Sequence, residues 1–167
     1  MSTNTSALIA LGQLAPLGTR FTLYRGLGEL LHFNPDLDGE DATPPARVAD
    51  LRALVAGADA IVISSPEYAH GVPGSLKNAL DWLVSMPEFP GKPVALLDCS
   101  PGSVHVRAAL AETLATMSAR MIEDVRLTVP LPRNRLDATG MLGDASIAAA
   151  LRSAGEAIAD AARSAEC

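Results

Sequence analysis

Ser64-Ser65-Pro66-Glu67-Tyr68-Ala69-His70-Gly71-Val72-Pro73-Gly74-Ser75-Leu76-Lys77-Asn78-Ala79-Leu80-Asp81-Trp82-Leu83 is the stretch that decides how the rest of the chain is read. Just before it, Ala60-Ile61-Val62-Ile63 has the length and β-branched content of a buried strand. At its far end, Leu76, Ala79, Leu80, Leu83 and Val84 recur at helical spacing. Two prolines, two glycines and a tyrosine lie between. A stiff, shaped loop therefore leaves the carboxyl end of a strand, which is where open α/β sheets bind their ligands.

Working outward, residues 5–16 read as a helix with Leu8, Leu11 and Ala15 on one face, ended by Pro16-Leu17-Gly18. Phe21-Thr22-Leu23-Tyr24 reads as a short strand, and residues 25–43 as a loop with a solvated acidic run, Asp36 to Asp41. Thr43 is a candidate N-cap for a helix opened by Pro44 and Pro45, with Val48, Leu51, Leu54 and Val55 as its stripe and Gly57 as its end. After the helix over 74–86, Val94-Ala95-Leu96-Leu97 is a second apolar strand, and 103–118 a helix with Val106, Leu110, Leu114 and Met117 aligned. Residues 125–129 alternate like an edge strand, 130–143 read as irregular, and 144–164 as an alanine-rich helix bearing Ile147, Leu151, Ala154 and Ile158. Strands alternating with helices predict one α/β domain over 1–167, a flavodoxin-like, doubly wound parallel sheet with helices on both faces. The strand order 2-1-3-4-5 of that architecture has a central first strand that this sequence lacks.

Composition narrows the function classes. At 167 residues with 49% hydrophobic residues the chain suits a globular domain with a single core. A net charge of −6 argues against nucleic acid, whose binders carry a basic face. Two cysteines, Cys99 and Cys167, make no disulfide framework, and no Cys/His cluster has zinc spacing, so no metal site is expected. Apolar runs fall short of the ~20 residues that span a bilayer. The first residues lack the basic region of a signal peptide, so a reduced cytoplasmic setting is expected.

The words S-P-E-Y and G-V-P-G-S-L-K-N-A-L-D-W-L, from Ser64 to Leu83, resemble the flavin-contacting loop of the NAD(P)H-dependent FMN reductases, a family that includes chromate and quinone reductases. Ser2-Thr3-Asn4 is similar to the end of that family's G-S-L-R-x-x-S-x-N phosphate loop. The resemblance implies FMN as cofactor, NAD(P)H as electron donor, and a quinone, free flavin or similar small molecule as acceptor, in a homodimer or homotetramer without a membrane partner. It assigns Ser2 and Asn4 to the FMN phosphate. Pro66, Glu67, Tyr68 and Ala69 fall at the isoalloxazine ring, and Ser100, Pro101 and Gly102 form the opposite wall. No side chain is implied as a catalytic acid or base. Ala69 departs from the asparagine common at its position, and the motif's arginine has no counterpart here, which implies weaker phosphate binding.

The sequence begins inside the phosphate motif. A strand missing between 21–24 and 60–64 would leave two ladders without partners. Those strands re-pair directly, another chain fills the slot, or the start lies upstream. Two other function classes remain beside the reductase: a cofactor-poor, non-enzymatic remnant acting through subunit contacts, and a flavodoxin-type electron carrier, which the 4% aromatic content disfavours. Of the remaining polar residues, His70 and His105 read as solvated, Cys99 as a small buried hydrophobe, and Lys77–Asp81 as a surface helix pair. Trp82 reads as part of a second contact surface, and Arg133 and Arg135 as solvated loop residues.

Overall fold

A computed structural model describes residues 2–39, 42–99, 104–122 and 136–164. In chain order the elements are α1 (Thr3–Gln13), α2 (Ala46–Ala56), β1 (Ile61–Ile63), α3 (Gly74–Asp81), β2 (Pro93–Leu96), α4 (Val104–Thr116), β3 (Arg120–Met121), α5 (Ala138–Gly143) and α6 (Ala145–Arg163). The sheet runs β1-β2-β3 and is parallel throughout, with Ile61, Val62 and Ile63 beside Val94, Ala95 and Leu96, and Pro93 and Val94 beside Arg120 and Met121.

The alternation of side chains along a strand divides the core in two. Val94 and Leu96 join Val48, Leu51, Leu80, Leu110 and Leu114 on the face covered by α2, α3 and α4. Ala95 and Leu97 join Ala7, Leu11, Met141, Ile147 and Leu151 on the face covered by α1, α5 and α6. Every residue of β2 is buried, which explains why its sequence is apolar without alternation. Helices on both faces of a parallel sheet match the predicted doubly wound architecture.

Several expectations are corrected. Phe21–Tyr24 forms no strand; among the described residues no ladder partner lies beside it. Its side chains nevertheless serve both cores, Phe21 against α1 and Tyr24 against the α2–α4 layer. Gly12 makes room for Phe21, since a Cβ there would sit 2.7 Å from the ring. Residues 138–143, read as irregular, form a short helix capped by Asp137, whose carboxylate accepts from the Gly140 N–H at 2.8 Å. Six residues with two glycines show too little periodicity to be read from sequence. The N-cap of α2 is Pro45, not Thr43. α3 ends at Asp81, where turns replace the helix, and Val84 points outward. The predicted strand at 125–129, Arg133 and Arg135 lie outside the described residues.

Trp82 is fully buried and so is no contact surface. Its indole N–H donates to the Leu31 carbonyl at 2.8 Å, and its ring meets Phe33 edge-on at 5.0 Å. The Asn78 amide donates to Leu31 O and accepts from Phe33 N–H, so one side of α3 is stitched to residues 31–33. Nor is the acidic run wholly solvated: the Asp38 carboxylate is nearly buried and accepts from Arg52, which also donates to Trp82 O and Ser85 Oγ. Lys77 and Asp81 pair as expected.

α6 carries the widest apolar stripe, and Leu151 is fully buried at its centre. Leu151→Ala is expected to destabilise the fold by about 2–5 kcal/mol, read as a lower urea midpoint with an unchanged m-value.

Candidate functional site

Parallel strands with helical crossovers bring the loops that leave their carboxyl ends to one edge. Here β1 leads into residues 64–73 and β2 into the segment before α4. The amino end of α1 reaches the same edge through a side-chain network. The Ser64 hydroxyl lies 3.1 Å from Asn4 Oδ1, 2.9 Å from Leu97 O and 3.4 Å from Cys99 Sγ. A serine has one proton to give. Donated to Leu97 O, it leaves the Oγ lone pairs for the Cys99 thiol and for the Asn4 NH2 in the flipped amide orientation. Asn4 is thus fixed against the end of β1 rather than projecting freely.

Ser2 caps α1: its Oγ accepts from the Thr5 N–H at 3.2 Å and meets Thr5 Oγ1 at 2.9 Å. The first N–H groups of α1 and their partial positive charge therefore face the carboxyl edge of the sheet, the arrangement that receives an anion.

The loop after β1 folds into a tight hairpin. Tyr68 and Gly71 exchange both backbone hydrogen bonds, at 3.2 and 2.9 Å, and the residues between them, Ala69 and His70, have φ of 49° and 59°. Positive φ at both central positions is a type I′ turn. Such backbone favours asparagine or glycine, which makes Ala69 a strained choice at this position. Pro66 is half-buried at the base, whereas Tyr68 is 65% exposed and offers its ring to solvent. Among the described residues, the N–H groups of Ala69 and His70 have no acceptor in the chain.

Glu67 does what its sequence gave no sign of. Its Oε2 accepts from the backbone N–H of His105 at 2.9 Å and of Val106 at 3.0 Å, capping α4 from a different loop. Its Oε1 lies 3.1 Å from His70 Nδ1. These bonds, led by that from Val106 and followed by those from His70 and His105, outweigh desolvation and hold the carboxyl below the usual glutamate range. The loop after β1 is thereby tied to the first turn of α4. His70 and His105 are exposed as expected, yet they are not isolated: their rings meet edge-on at 4.3 Å. Asp98 makes a second tie to α4 through Arg107, at 2.5 Å.

Cys99 is buried, as expected. Burial, reinforced by Asp98 and only partly offset by the Ser64 hydroxyl, raises its thiol above the ordinary range. A thiol so held is a poor nucleophile at neutral pH. The structure thus brings Ser2, Asn4, Pro66, Glu67, Tyr68 and Ala69 to one end of the sheet; Ser100, Pro101 and Gly102 lie outside the described residues. A separate cleft, lined by Leu37, Asp38, Pro44, Arg52 and Ser85, contains none of these residues. The ties Glu67–α4, Asn4–Ser64 and Asp98–Arg107 were not legible because each joins positions with no common periodicity.

Because the folded-state carboxyl of Glu67 titrates below its unfolded counterpart, its stabilisation is present above the unfolded value and is lost as pH falls through the folded one. Glu67→Ala is expected to melt lower than the parent at neutral pH, with Glu67→Gln between them because an amide oxygen still accepts. The parent's advantage over Glu67→Ala should shrink on acidification below about pH 4, as measured by urea unfolding at each pH.

The chain matches the family model described as NADPH-dependent FMN reductase over residues 2–131. It is 34% identical over 132 residues to a quinone reductase of Escherichia coli (strain K12), covering 76% of this chain and 70% of that protein. Over 146 residues it is 30% identical to a 2-hydroxy-1,4-benzoquinone reductase of Burkholderia sp, covering 83% and 77%. Its fold is similar to that of FerB, a flavoenzyme NAD(P)H:(acceptor) oxidoreductase from Paracoccus denitrificans, with a TM-score of 0.82 at 27% identity over 98% of this chain and 91% of that one.

Proposed function

The chain belongs to the NADPH-dependent FMN reductase family, and from that premise we propose that it is an FMN-dependent NAD(P)H oxidoreductase acting on quinones, free flavin or similar small acceptors. The observation that carries this reading is the meeting of three features at one end of a parallel sheet. These are the amino end of α1, the exposed ring of Tyr68 on a rigid hairpin, and the first turn of α4. The quinone reductases among its relatives support the acceptor class.

In this reading Ser2, Asn4 and the first N–H groups of α1 hold the FMN phosphate, the Ser2 hydroxyl keeping its proton to donate. The residues fit the group: a helix N-terminus suits a dianion, and a flat, polar-edged ring suits an exposed aromatic and open backbone donors. Pro66, Tyr68 and Ala69 form one wall of the ring slot, and the family resemblance assigns Ser100, Pro101 and Gly102 to the other. Glu67 is a positioning residue, since both carboxylate oxygens are engaged within the chain and its effect reaches the ring through the spacing of the two walls. Bound FMN supplies the two-electron chemistry between NAD(P)H and the acceptor. The chain binds and orients it, and no protein acid or base is required.

Among the described residues no helix is long and apolar enough to cross a membrane. A cytoplasmic setting rests on the cysteine usage. A homodimer or homotetramer rests on the family resemblance.

Titrating the purified chain with FMN and following NADPH oxidation with p-benzoquinone tests the reading. Bound yellow colour with acceptor-dependent turnover is expected, and Tyr68→Ala should weaken FMN binding by about 0.5–1.5 kcal/mol, roughly two- to tenfold. No retained flavin together with no NADPH oxidation would overturn it, and would favour the cofactor-poor remnant.

A further inference from the structure

Two exposed histidines and a carboxylate, drawn from positions 67, 70 and 105, stand together at the mouth of the loop cluster. One atom of each, a carboxylate oxygen or an imidazole nitrogen, lies within 4.8 Å of the other two. Both imidazoles are exposed to solvent, and the proposed flavin chemistry calls on neither.

We propose that Glu67, His70 and His105 form a binding site for a divalent transition-metal cation. The donor set is two imidazoles and one carboxylate, which suits borderline ions such as Zn2+ and leaves positions open for water. Ligand atoms about 2.0–2.2 Å from a tetrahedral ion stand roughly 3.4 Å apart. The observed spread therefore needs a closure of at most about 1.4 Å, within reach of a rotation of exposed imidazoles.

The support behind the ligands is what distinguishes this group from a chance surface cluster. A metal-bound carboxylate is normally oriented by hydrogen bonds to its other oxygen. Glu67 Oε2 is pinned by the His105 and Val106 N–H groups, which aims Oε1 at His70. His70 is held at the hairpin tip at a φ of 59°, in the left-handed region. His105 is fixed in the first turn of α4. Two ligands thus come from the loop after β1 and the third from α4, so a bound ion would clamp that loop to the amino end of α4. The site itself does not depend on flavin binding.

The test is isothermal titration of untagged protein with ZnCl2, together with melting temperature with and without Zn2+. The expected result is saturable uptake of one ion per chain with a higher melting temperature. In His70→Asn and in His105→Ala the apparent affinity should fall at least about 10–100-fold, the cost of losing even an outer-shell partner, and the melting-temperature rise should shrink with it. Asparagine tolerates positive φ and alanine is the better helix former, so neither substitution undermines the backbone that carries the site. His32→Ala, which removes the one histidine outside the cluster, should bind Zn2+ as the parent does. The proposal is overturned if the parent shows no saturable uptake, if uptake persists undiminished in either cluster variant, or if His32→Ala abolishes it. FMN colour, read on the same samples, reports separately on the flavin assignment.

Discussion

The Glu67 carboxylate on the amino end of α4 is the interaction that the rest of the site depends on. Loops leaving neighbouring parallel strands are brought to the same edge by right-handed crossovers, but adjacency alone does not hold them at a fixed spacing. Glu67 does so by placing one oxygen on the N–H groups of His105 and Val106 in the first turn of α4. The cost of ordering a polar loop is offset where the helix dipole and two charge-assisted hydrogen bonds act together. Asp98–Arg107 holds α4 to the end of β2, and Asn4–Ser64 holds α1 to the end of β1. Three helix starts or loops are thereby registered against one sheet edge.

The division of labour between the two cores follows from β2. Val94 and Leu96 anchor one helical layer, Ala95 and Leu97 the other, and each helix that bears on the site is held by one of these layers. Rigidity at the edge is thus inherited from packing further back. The hairpin with Ala69 and His70 at its tip is the place where this order is maintained against local preference, since both residues hold a backbone conformation better suited to asparagine or glycine.

Much of the architecture was legible because burial imposes periodicity. The apolar runs at 61–63 and 93–97 and the stripes of α2, α4 and α6 could be read directly, and the words from Ser64 to Leu83 carried the family. Phe21–Tyr24 misled because a strand is defined by its ladder partner, which no single segment announces. Trp82 misled because its burial is supplied by Leu31 and Phe33, about fifty residues earlier, and not by its own helix. Ser2, Asn4, Pro66, Tyr68 and Ala69 are candidates by resemblance, and they lie together at one end of the sheet. The capping role of Glu67 and the meeting of His70 with His105 were not, because hydrogen bonds between distant loops leave no spacing to detect. A search confined to Cys/His spacing passes over a ligand set split between two loops.

Hydrogen–deuterium exchange with and without FMN tests most directly whether these adjoining loops are the flavin site. The expected result is slowed exchange confined to the first turn of α1, the hairpin at 66–71 and the first turn of α4. Protection concentrated instead around Arg52 and Asp38, or a pattern unchanged by saturating FMN, would contradict it.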